Sequence, residues 1–261
     1  MRIDVNAFLG HYPFRKVDGG SPAMLLDAMT RTGIDQAWVS NLSAIFWRDP
    51  TEGNAMLYRV AEQHPLLRPV PAVHPALANW RAVLDAAAAT RAPAIRVDAT
   101  FVGIDPLGDE MGAVVSRAAL LGVPIMMAVK LEDGRQRHPH DSIPDLSPAA
   151  VRGLLRADAK VRLIVTHADR DFIEQVHFGS TPAESARVLW DICWLWGPPM
   201  DDIDHLVTTI GATQFCFGTG MPLRIPESGV AKFDLLRCSS EERMAIGSAN
   251  AERFAAVWLS R

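Results

Sequence analysis

The chain has 261 residues, 49 % of them hydrophobic and 21 % charged, with a net charge of -4. This composition excludes a disordered protein, and the scattered Lys and Arg residues provide no basic face for nucleic acid. No apolar run reaches the roughly 18 residues that span a bilayer, so we expect no membrane partner. Cys193, Cys216 and Cys238 are widely spaced. Together with an N-terminus that lacks a secretory signal, they predict reduced thiols in a cytoplasmic protein.

Short apolar runs alternate with helical patterns along the whole chain. The predicted strands cover residues 2–8, 34–40, 67–74, 94–98, 125–130, 161–166, 186–194 and 214–217. The predicted helices cover residues 22–31, 52–63, 79–89, 107–121, 148–157, 169–176, 202–211 and the tail from 239. Ser21 before Pro22 and Ser147 before Pro148 are typical of an N-cap followed by the first helical residue.

The strands are continuously apolar, which is typical of a parallel sheet that is buried on both faces. Eight strand–helix units in a chain of this length predict a single (β/α)₈ TIM barrel over residues 1–261, since such barrels use roughly 250 residues. A doubly wound sheet is the alternative, but its glycine-rich phosphate loop is missing. The longest loop, residues 132–146, leaves strand five where barrel active sites lie, and it could be a lid or a subunit contact.

Polar residues collect where the predicted strands end. In a barrel these carboxyl ends carry the function. The residues at these ends, or just beyond them, are Asn6, Phe8, Asn41, His74, Arg96, Asp98, Lys130, Glu132, His167, Asp169, Asp191, Thr219 and Gly220. A purely structural barrel end would not need so many polar groups of mixed charge, so the pattern indicates a functional site.

Four segments in chain order resemble motifs of the amidohydrolase superfamily. Residues 3–10 (IDVNAFLG) resemble its first strand, usually Asp-x-His-x-His-x-Gly, and residues 164–167 (IVTH) resemble its sixth. Residues 216–222 (CFGTGMP) resemble its eighth strand, and residues 250–254 (NAERF) resemble its closing helix. The most similar branch is the amidohydrolase 2 group, related to aminocarboxymuconate-semialdehyde decarboxylase. The resemblance implies a TIM barrel and a hydrolase or decarboxylase-like lyase that acts on a small carboxylate or carbonyl compound.

The resemblance also implies a divalent metal, but this chain departs from the ligand pattern. Asn6 and Phe8 replace the strand-one histidines, Ala128 lies at the strand-five position, and Gly220 replaces the strand-eight aspartate. Of the implied ligands only His167 remains. A catalytic zinc generally needs three protein ligands, so we expect a degraded site without a metal cofactor.

A metal-free site could still act on a carboxylate. His167 is the candidate acid or base, with Asp191 and Lys130 as further catalytic candidates. Arg96 could bind a substrate carboxylate through its fork of N–H groups. His74, His11 and Asn6 are also candidate substrate-binding residues, although an ion-pair network at the barrel end would equally explain Arg96, Lys130 and Asp98.

Three alternatives stay open from the sequence. The chain could be a non-catalytic relative that binds a small molecule or a partner subunit, including a second copy in a homodimer. It could hold zinc or another divalent metal at a relocated site that uses His11, His138, His140 and His167. Trp190 and Trp194 could line a pocket, but packing between the barrel and its helices is the simpler interpretation.

Overall fold

The computed structural model describes the backbone of residues 1–259 and the side chains of residues 1–255. Within this part of the chain, parallel strands and helices alternate as the sequence predicts. The strands are β1 (Ile3–Leu9), β2 (Gln36–Asn41), β3 (Leu67–Pro69), β4 (Ile95–Arg96), β5 (Ile125–Ala128), β6 (Leu163–Thr166), β7 (Val188–Asp191) and β8 (Phe215–Cys216). Each is shorter than or similar to its predicted apolar run, because the pairing ends before the apolar residues do.

The strands close into a barrel. Pairing follows chain order within β1-β2-β3 and within β4-β5-β6-β7-β8, and a parallel bridge between Ala72 and Arg96 joins the two groups. The Val5 N–H donates to the Phe217 carbonyl over 3.0 Å, which ties β1 to the end of β8. Closure satisfies both edges of the sheet, and it confirms the predicted (β/α)₈ fold.

Helices cover the outside of the barrel. They are α1 (Pro22–Thr32), α2 (Thr51–Gln63), α3 (Trp80–Ala89), α4 (Asp109–Leu121), α5 (Pro148–Ala157), α6 (Arg170–Phe178), α7 (Pro182–Ser185), α8 (Asp202–Ile210), α9 (Pro226–Asp234), α10 (Ser240–Met244) and α11 (Asn250–Leu259). The two predicted Ser-Pro starts are confirmed, since Ser21 Oγ and Ser147 Oγ each accept an N–H bond in the first turn. Among these described helices, none combines the length and apolar character that crossing a membrane requires.

The core has three parts. The barrel interior is a layer of side chains from all eight strand segments, and α11 packs against the end where the strands begin. A larger cluster lies between the strands and the helices. A third cluster at the opposite end includes Phe8, Tyr12 and Leu223. The carboxyl ends of the strands therefore open on a partly aromatic mouth, and Leu131, which directly precedes the loop of residues 132–146, packs in this third cluster.

Two regions differ from the predicted elements. The predicted strand 186–194 contracts to β7, because α7, which Thr181 caps, extends to Ser185 and the pairing with β8 ends at Asp191. As a result Trp194 lies outside the strand, while Trp190 stays in it and packs against Phe172. Helix α9, which begins at Pro226, was not among the predicted helices. It places residues after β8 beside the barrel mouth.

Candidate functional site

A buried hydrogen-bond network crosses the barrel at the carboxyl ends of the strands, with Asn6 at its centre. The Asn6 Oδ1 accepts from the Arg96 guanidinium over 3.0 Å, and its Nδ2 donates to Asp191 Oδ2 over 2.8 Å. The same Nδ2 lies 3.4 Å from the Nδ1 of His167. A reversed amide would place its oxygen against the Asp191 carboxylate, so the neighbours fix the orientation of the Asn6 side chain.

The Arg96 guanidinium lies inside this network and is only 1 % exposed. Its Nε donates to Ser40 Oγ over 2.8 Å, and one terminal nitrogen lies 3.5 Å from Asp98 Oδ2. The guanidinium carbon lies 4.8 Å from the centre of the Phe8 ring. The predicted carboxylate-binding residue is thus brought to the site, but most of its N–H groups are used by protein acceptors.

Three carboxyl groups lie in or below the network. Burial raises the pKa of Asp98 and of Asp191, and it raises the pKa of Asp4 to about 6. Asp4 accepts from the Asn6 N–H over 2.9 Å and from the Thr219 hydroxyl over 2.5 Å. Asp4 therefore links β1 to Thr219 in the segment after β8.

His167 directly follows β6, is fully buried and has a left-handed backbone with φ of 59°. Its backbone N–H donates to Asp191 Oδ1 over 3.0 Å, and its Nδ1 lies 3.2 Å from the Thr166 hydroxyl. Its Nε2 is buried and has no hydrogen-bond partner among the described residues. Burial, followed by the positive charges of Arg224, Arg96 and Lys130, holds the pKa of His167 well below its ordinary value, so the ring is neutral at pH 7.

The free Nε2 is packed close to Gly220. A Cβ atom on Gly220 would lie 3.2 Å from His167 Nε2, 3.4 Å from Arg224 Cδ and 3.7 Å from Cys193 Sγ. The Arg224 guanidinium lies 3.6 Å from the centre of the Trp194 ring. Its Nε is buried without a hydrogen-bond partner in the described part of the chain. These groups are packed closely around Gly220 at the barrel mouth.

A polar cavity of about 280 Å³ lies beside Cys193 and Arg224, and its lining also includes Arg15, Glu132 and Lys232. Arg15 pairs with Glu132 over 2.7 Å. The Lys232 Nζ donates to three backbone carbonyls, one of them that of Cys193 at 2.8 Å. The lining therefore carries more positive than negative charge.

The other predicted site residues lie at varying positions around the mouth. The Lys130 Nζ pairs with Asp169 over 2.9 Å and lies 5.2 Å from the centre of the Trp194 ring. His74 is half-buried and lines a second, much smaller cavity with Arg96. The side chain of His11 is exposed, and its backbone, rather than its ring, bonds to a serine. The structure therefore brings Lys130 to the site and leaves His11 on the surface.

The residues at the implied metal positions do not fit a divalent cation. The Asn6 oxygen already accepts from Arg96, the side chains of Phe8 and Ala128 have no donor atom, and Gly220 has no side chain. The buried Arg96 guanidinium also repels a second cation. No group of three or more His, Cys, Asp or Glu side chains in the described residues is arranged to hold a metal ion.

The four histidines of the relocated metal site do not come together. His138 and His140 are exposed in the loop, where their rings lie 5.1 Å apart and His138 stacks on Phe14. His167 is buried inside the barrel, whereas His11 is exposed. The sequence grouped these residues by their type and spacing, but in the tertiary structure the four side chains do not share one site.

Comparison with known proteins identifies the fold. Neither a family model nor a curated protein matches the sequence. Among solved structures, a 2,6-dihydroxybenzoate decarboxylase in complex with 2,6-dihydroxybenzoate aligns with a TM-score of 0.75 and 12 % identity, covering 98 % of this chain and 99 % of that one. A TIM-barrel protein of Bordetella bronchiseptica aligns with a TM-score of 0.74 and 15 % identity, covering 100 % and 99 %.

A third similar structure contains a metal. The 5-carboxyvanillate decarboxylase of Novosphingobium aromaticivorans, complexed with manganese and 4-hydroxy-3-methoxy-5-nitrobenzoic acid, aligns with a TM-score of 0.71 and 12 % identity. The alignment covers 98 % of this chain and 96 % of that chain. At such identities the likeness establishes a shared barrel fold.

Sequence reasoning missed Arg224 and Cys193 as site residues and favoured a packing role for Trp194. Arg224 follows β8 by several residues, in a loop whose path the sequence does not define. Trp194 was assigned to a strand that ends at Asp191. The only available signal was the Thr219-Gly220 pair after β8, which marked the position of the loop but not the direction of its side chains.

Proposed function

We propose that this chain is an enzyme that acts on a small carboxylate, with hydrolase or decarboxylase-like lyase chemistry, and that it works without a metal ion. The observation that carries the proposal is the environment of His167. A neutral, buried imidazole is held near the barrel mouth beside a cationic cavity, and its Nε2 has no hydrogen-bond partner among the described residues. A buried polar atom without a partner is costly, so a site that retains one is typical of function.

In this proposal His167 acts on the substrate through Nε2. Asp191 holds the backbone of His167 and, through Asn6, one side of its ring. Arg96 positions Asn6 from the opposite side. Lys130 adds positive charge at the mouth, where it contributes to the low pKa of His167.

Two observations support a carboxylate as the substrate. The cavity lining is rich in positive charge, which favours an anionic ligand. Two proteins with the same fold are named as decarboxylases of aromatic carboxylic acids. A metal-free site is supported by the poor fit of Asn6, Phe8 and Gly220 to a cation, although one of these structures contains manganese.

The test is a turnover assay on protein that has been treated with EDTA. Benzoate, 2,6-dihydroxybenzoate and aliphatic mono- and dicarboxylates are each followed by NMR for loss of substrate. We expect turnover of at least one compound, unchanged by EDTA, and a loss of about 100-fold or more in His167→Asn. Asparagine tolerates a positive φ, so this variant keeps the backbone. The surface variant His205→Asn is the matched control and keeps full activity.

A non-catalytic binding protein is the second candidate. It is favoured by the replacement of the residues at the implied metal positions, which removes the usual route to an activated water. The same panel separates the two functions. Ligand-induced stabilisation without turnover would support the binder, whereas activity that survives in His167→Asn would contradict the assigned role of the histidine.

A further inference from the structure

We propose that the polar cavity beside Cys193 and Arg224 binds a small aliphatic carboxylate that carries at least one hydroxyl group. In this assignment the Arg224 guanidinium binds the carboxylate, and a carboxylate oxygen of Glu132 accepts from the hydroxyl. The inference rests on the proposed function in that it names the class of substrate, but binding in the cavity is tested apart from turnover.

The first observation is the character of the cavity lining. No aromatic side chain of the described residues lines the cavity, and the polar side chains of Gln136, Thr219 and Ser228 accompany the charged ones. Ligand pockets of roughly 300–1,000 Å³ are usually lined by apolar and aromatic side chains. A polar cavity of about 280 Å³ is at the lower end of this size range, and its lining favours a small ligand with several polar groups over an aromatic acid.

The second observation is an arginine without a protein acceptor. Arg224 lines the cavity, and it takes part in none of the ion pairs among the described residues. Its Nε is buried without a hydrogen-bond partner in the same part of the chain. Other half-buried arginines, such as Arg162, Arg187 and Arg243, donate to backbone carbonyls. Stacking on Trp194 at 3.6 Å orients the Arg224 guanidinium, so its N–H groups remain available for a carboxylate.

The third observation is a carboxylate oxygen without a donor. Glu132 lines the cavity and is only 7 % exposed. Both hydrogen bonds from Arg15 reach the same oxygen, Oε1, from Nε over 3.0 Å and from a terminal nitrogen over 2.7 Å. The second oxygen, Oε2, accepts no hydrogen bond from the side chains that the structure describes. An ionised carboxylate can only accept, so Oε2 is suited to a ligand group that donates, such as a hydroxyl.

The fourth observation is the charge around the cavity. Three basic side chains, Arg15, Arg224 and Lys232, line it together with one acidic side chain, Glu132. The Lys232 protons are directed to backbone carbonyls, so Lys232 contributes positive charge but no free donor. A ligand carboxylate reduces the excess of positive charge, whereas an amino acid would add an ammonium group beside it. The donor that reaches Glu132 is therefore assigned as a neutral hydroxyl.

The experiment measures dissociation constants by NMR titration of matched acids, with no requirement for turnover. Glycerate is compared with propionate, and gluconate with hexanoate, because each pair shares a carbon chain and differs in hydroxyl groups. We expect saturable binding and, in at least one pair, at least fivefold tighter binding of the hydroxylated acid. Benzoate and serine, the amino counterpart of glycerate, bind at least fivefold more weakly than that acid.

Each other result has a defined meaning. No saturable binding of either hydroxylated acid, or a preference of less than fivefold in both pairs, would overturn the inference. Binding of benzoate or serine within fivefold of the preferred acid would overturn the assigned class of ligand. Binding of the hydroxylated acid without any turnover would keep the inference and reject only the enzyme, whereas turnover of benzoate without binding of the hydroxylated acids would do the reverse.

Arg224→Met tests the carboxylate-binding group. Its control is Arg81→Met, because Arg81 also stacks on an indole ring, that of Trp80, over 4.3 Å and does not line the cavity. We expect Arg224→Met to bind both acids of the preferred pair at least tenfold more weakly, and Arg81→Met to bind them as the unmodified protein does. A smaller loss in Arg224→Met would remove Arg224 as the anchor of the carboxylate.

Glu132→Gln tests the hydroxyl acceptor. Arg15 holds the side-chain oxygen, so the amide N–H₂ takes the position of Oε2 and donates instead of accepting. We expect the preference for the hydroxylated acid to fall below twofold, while the unsubstituted acid still binds. The control is Glu184→Gln, since Glu184 pairs with Arg156 over 3.1 Å outside the cavity and glutamine also suits a capping box. An unchanged preference in Glu132→Gln would disprove the role of Glu132.

Discussion

Arg96 and Arg224 both lie at the barrel mouth, but they differ in what surrounds them. Arg96 is buried and bonded to Asn6, Ser40 and Asp98. Arg224 stacks on Trp194 and has a buried Nε without a partner in the described residues. The comparison teaches that position at the end of a strand does not by itself make an arginine available to a ligand. An arginine can bind a ligand only when its N–H groups are free of protein acceptors.

The same contrast divides the site into two regions. On one side, Asn6, Arg96, Asp98 and Asp191 satisfy each other, and we call them the closed network. On the other side, His167 Nε2 and Arg224 Nε are buried close to Gly220 without a hydrogen-bond partner among the described residues. The polar groups of the closed network are satisfied by each other, whereas these two nitrogens are not. Each of the following predictions changes contacts in one or both of these regions.

The largest effect is expected from Arg96→Met. The change leaves Asp98 and the Asn6 oxygen buried without their cationic partner, and breaking a buried pair in this way costs about 3–5 kcal/mol. Arg224→Met removes no ion pair, so its free energy of unfolding stays within about 1 kcal/mol of the unmodified protein. Urea unfolding of both variants measures the difference. Equal losses of stability would show that the two arginines do not differ as the contacts indicate.

The next effect concerns Asp4, which bonds to the backbone of the closed network. Its pKa is 3.8 when unfolded and about 6 in the fold. Between these pH values only the folded state binds this proton, so protonation of Asp4 stabilises the fold. This stabilisation is complete below pH 3.8 and is lost as the pH rises through 6. The total loss is about 3 kcal/mol. Asp4→Asn does not titrate, and its unfolding free energy falls less between pH 4 and pH 7. Parallel pH profiles would contradict the raised pKa.

The smallest effect tests Arg96 as a barrier to cations. Restoring the implied ligands with Asn6→His, Phe8→His and Gly220→Asp places them around a buried guanidinium. We expect zinc to bind at least tenfold more tightly when Arg96→Leu is added, a gain of about 1.4 kcal/mol. Competition with a zinc-sensitive dye measures both affinities. Equal zinc affinity with and without Arg96 would show that the guanidinium does not hinder zinc binding. No zinc binding in either variant would show that the implied ligand positions are assigned to the wrong residues.

Several features of this protein followed from local sequence patterns. The Ser21-Pro22 and Ser147-Pro148 pairs predicted helix starts because capping depends on neighbouring residues. Continuous apolar runs predicted buried parallel strands, because a strand that is covered on both faces carries apolar side chains on both. Strand boundaries were less accurate, as at residues 186–194, because apolar residues also pack outside paired strands. Helix α9 lies in a segment whose mixed polarity gave no clear period.

The candidate site was predicted in part. His167, Asp191, Asn6 and Arg96 do lie together, since the ends of parallel strands in a barrel must meet. The role of each residue could not be predicted from its position in the sequence. Whether Arg96 faces a ligand or Asp98 depends on burial and side-chain direction, and whether His167 keeps Nε2 free depends on residues from β1, β7 and the loop after β8.

The sequence by itself determined that eight strand–helix units are present, that a histidine follows the sixth strand, and that Asn6, Phe8 and Gly220 stand where metal ligands are implied. These are properties of residue type and order. Only the tertiary structure decided that Arg96 is enclosed, that His11 is exposed and that Arg224 meets His167 across Gly220. The reason is physical: the free energy of a charged group depends on the partners and solvent around it, and closure of the barrel sets both.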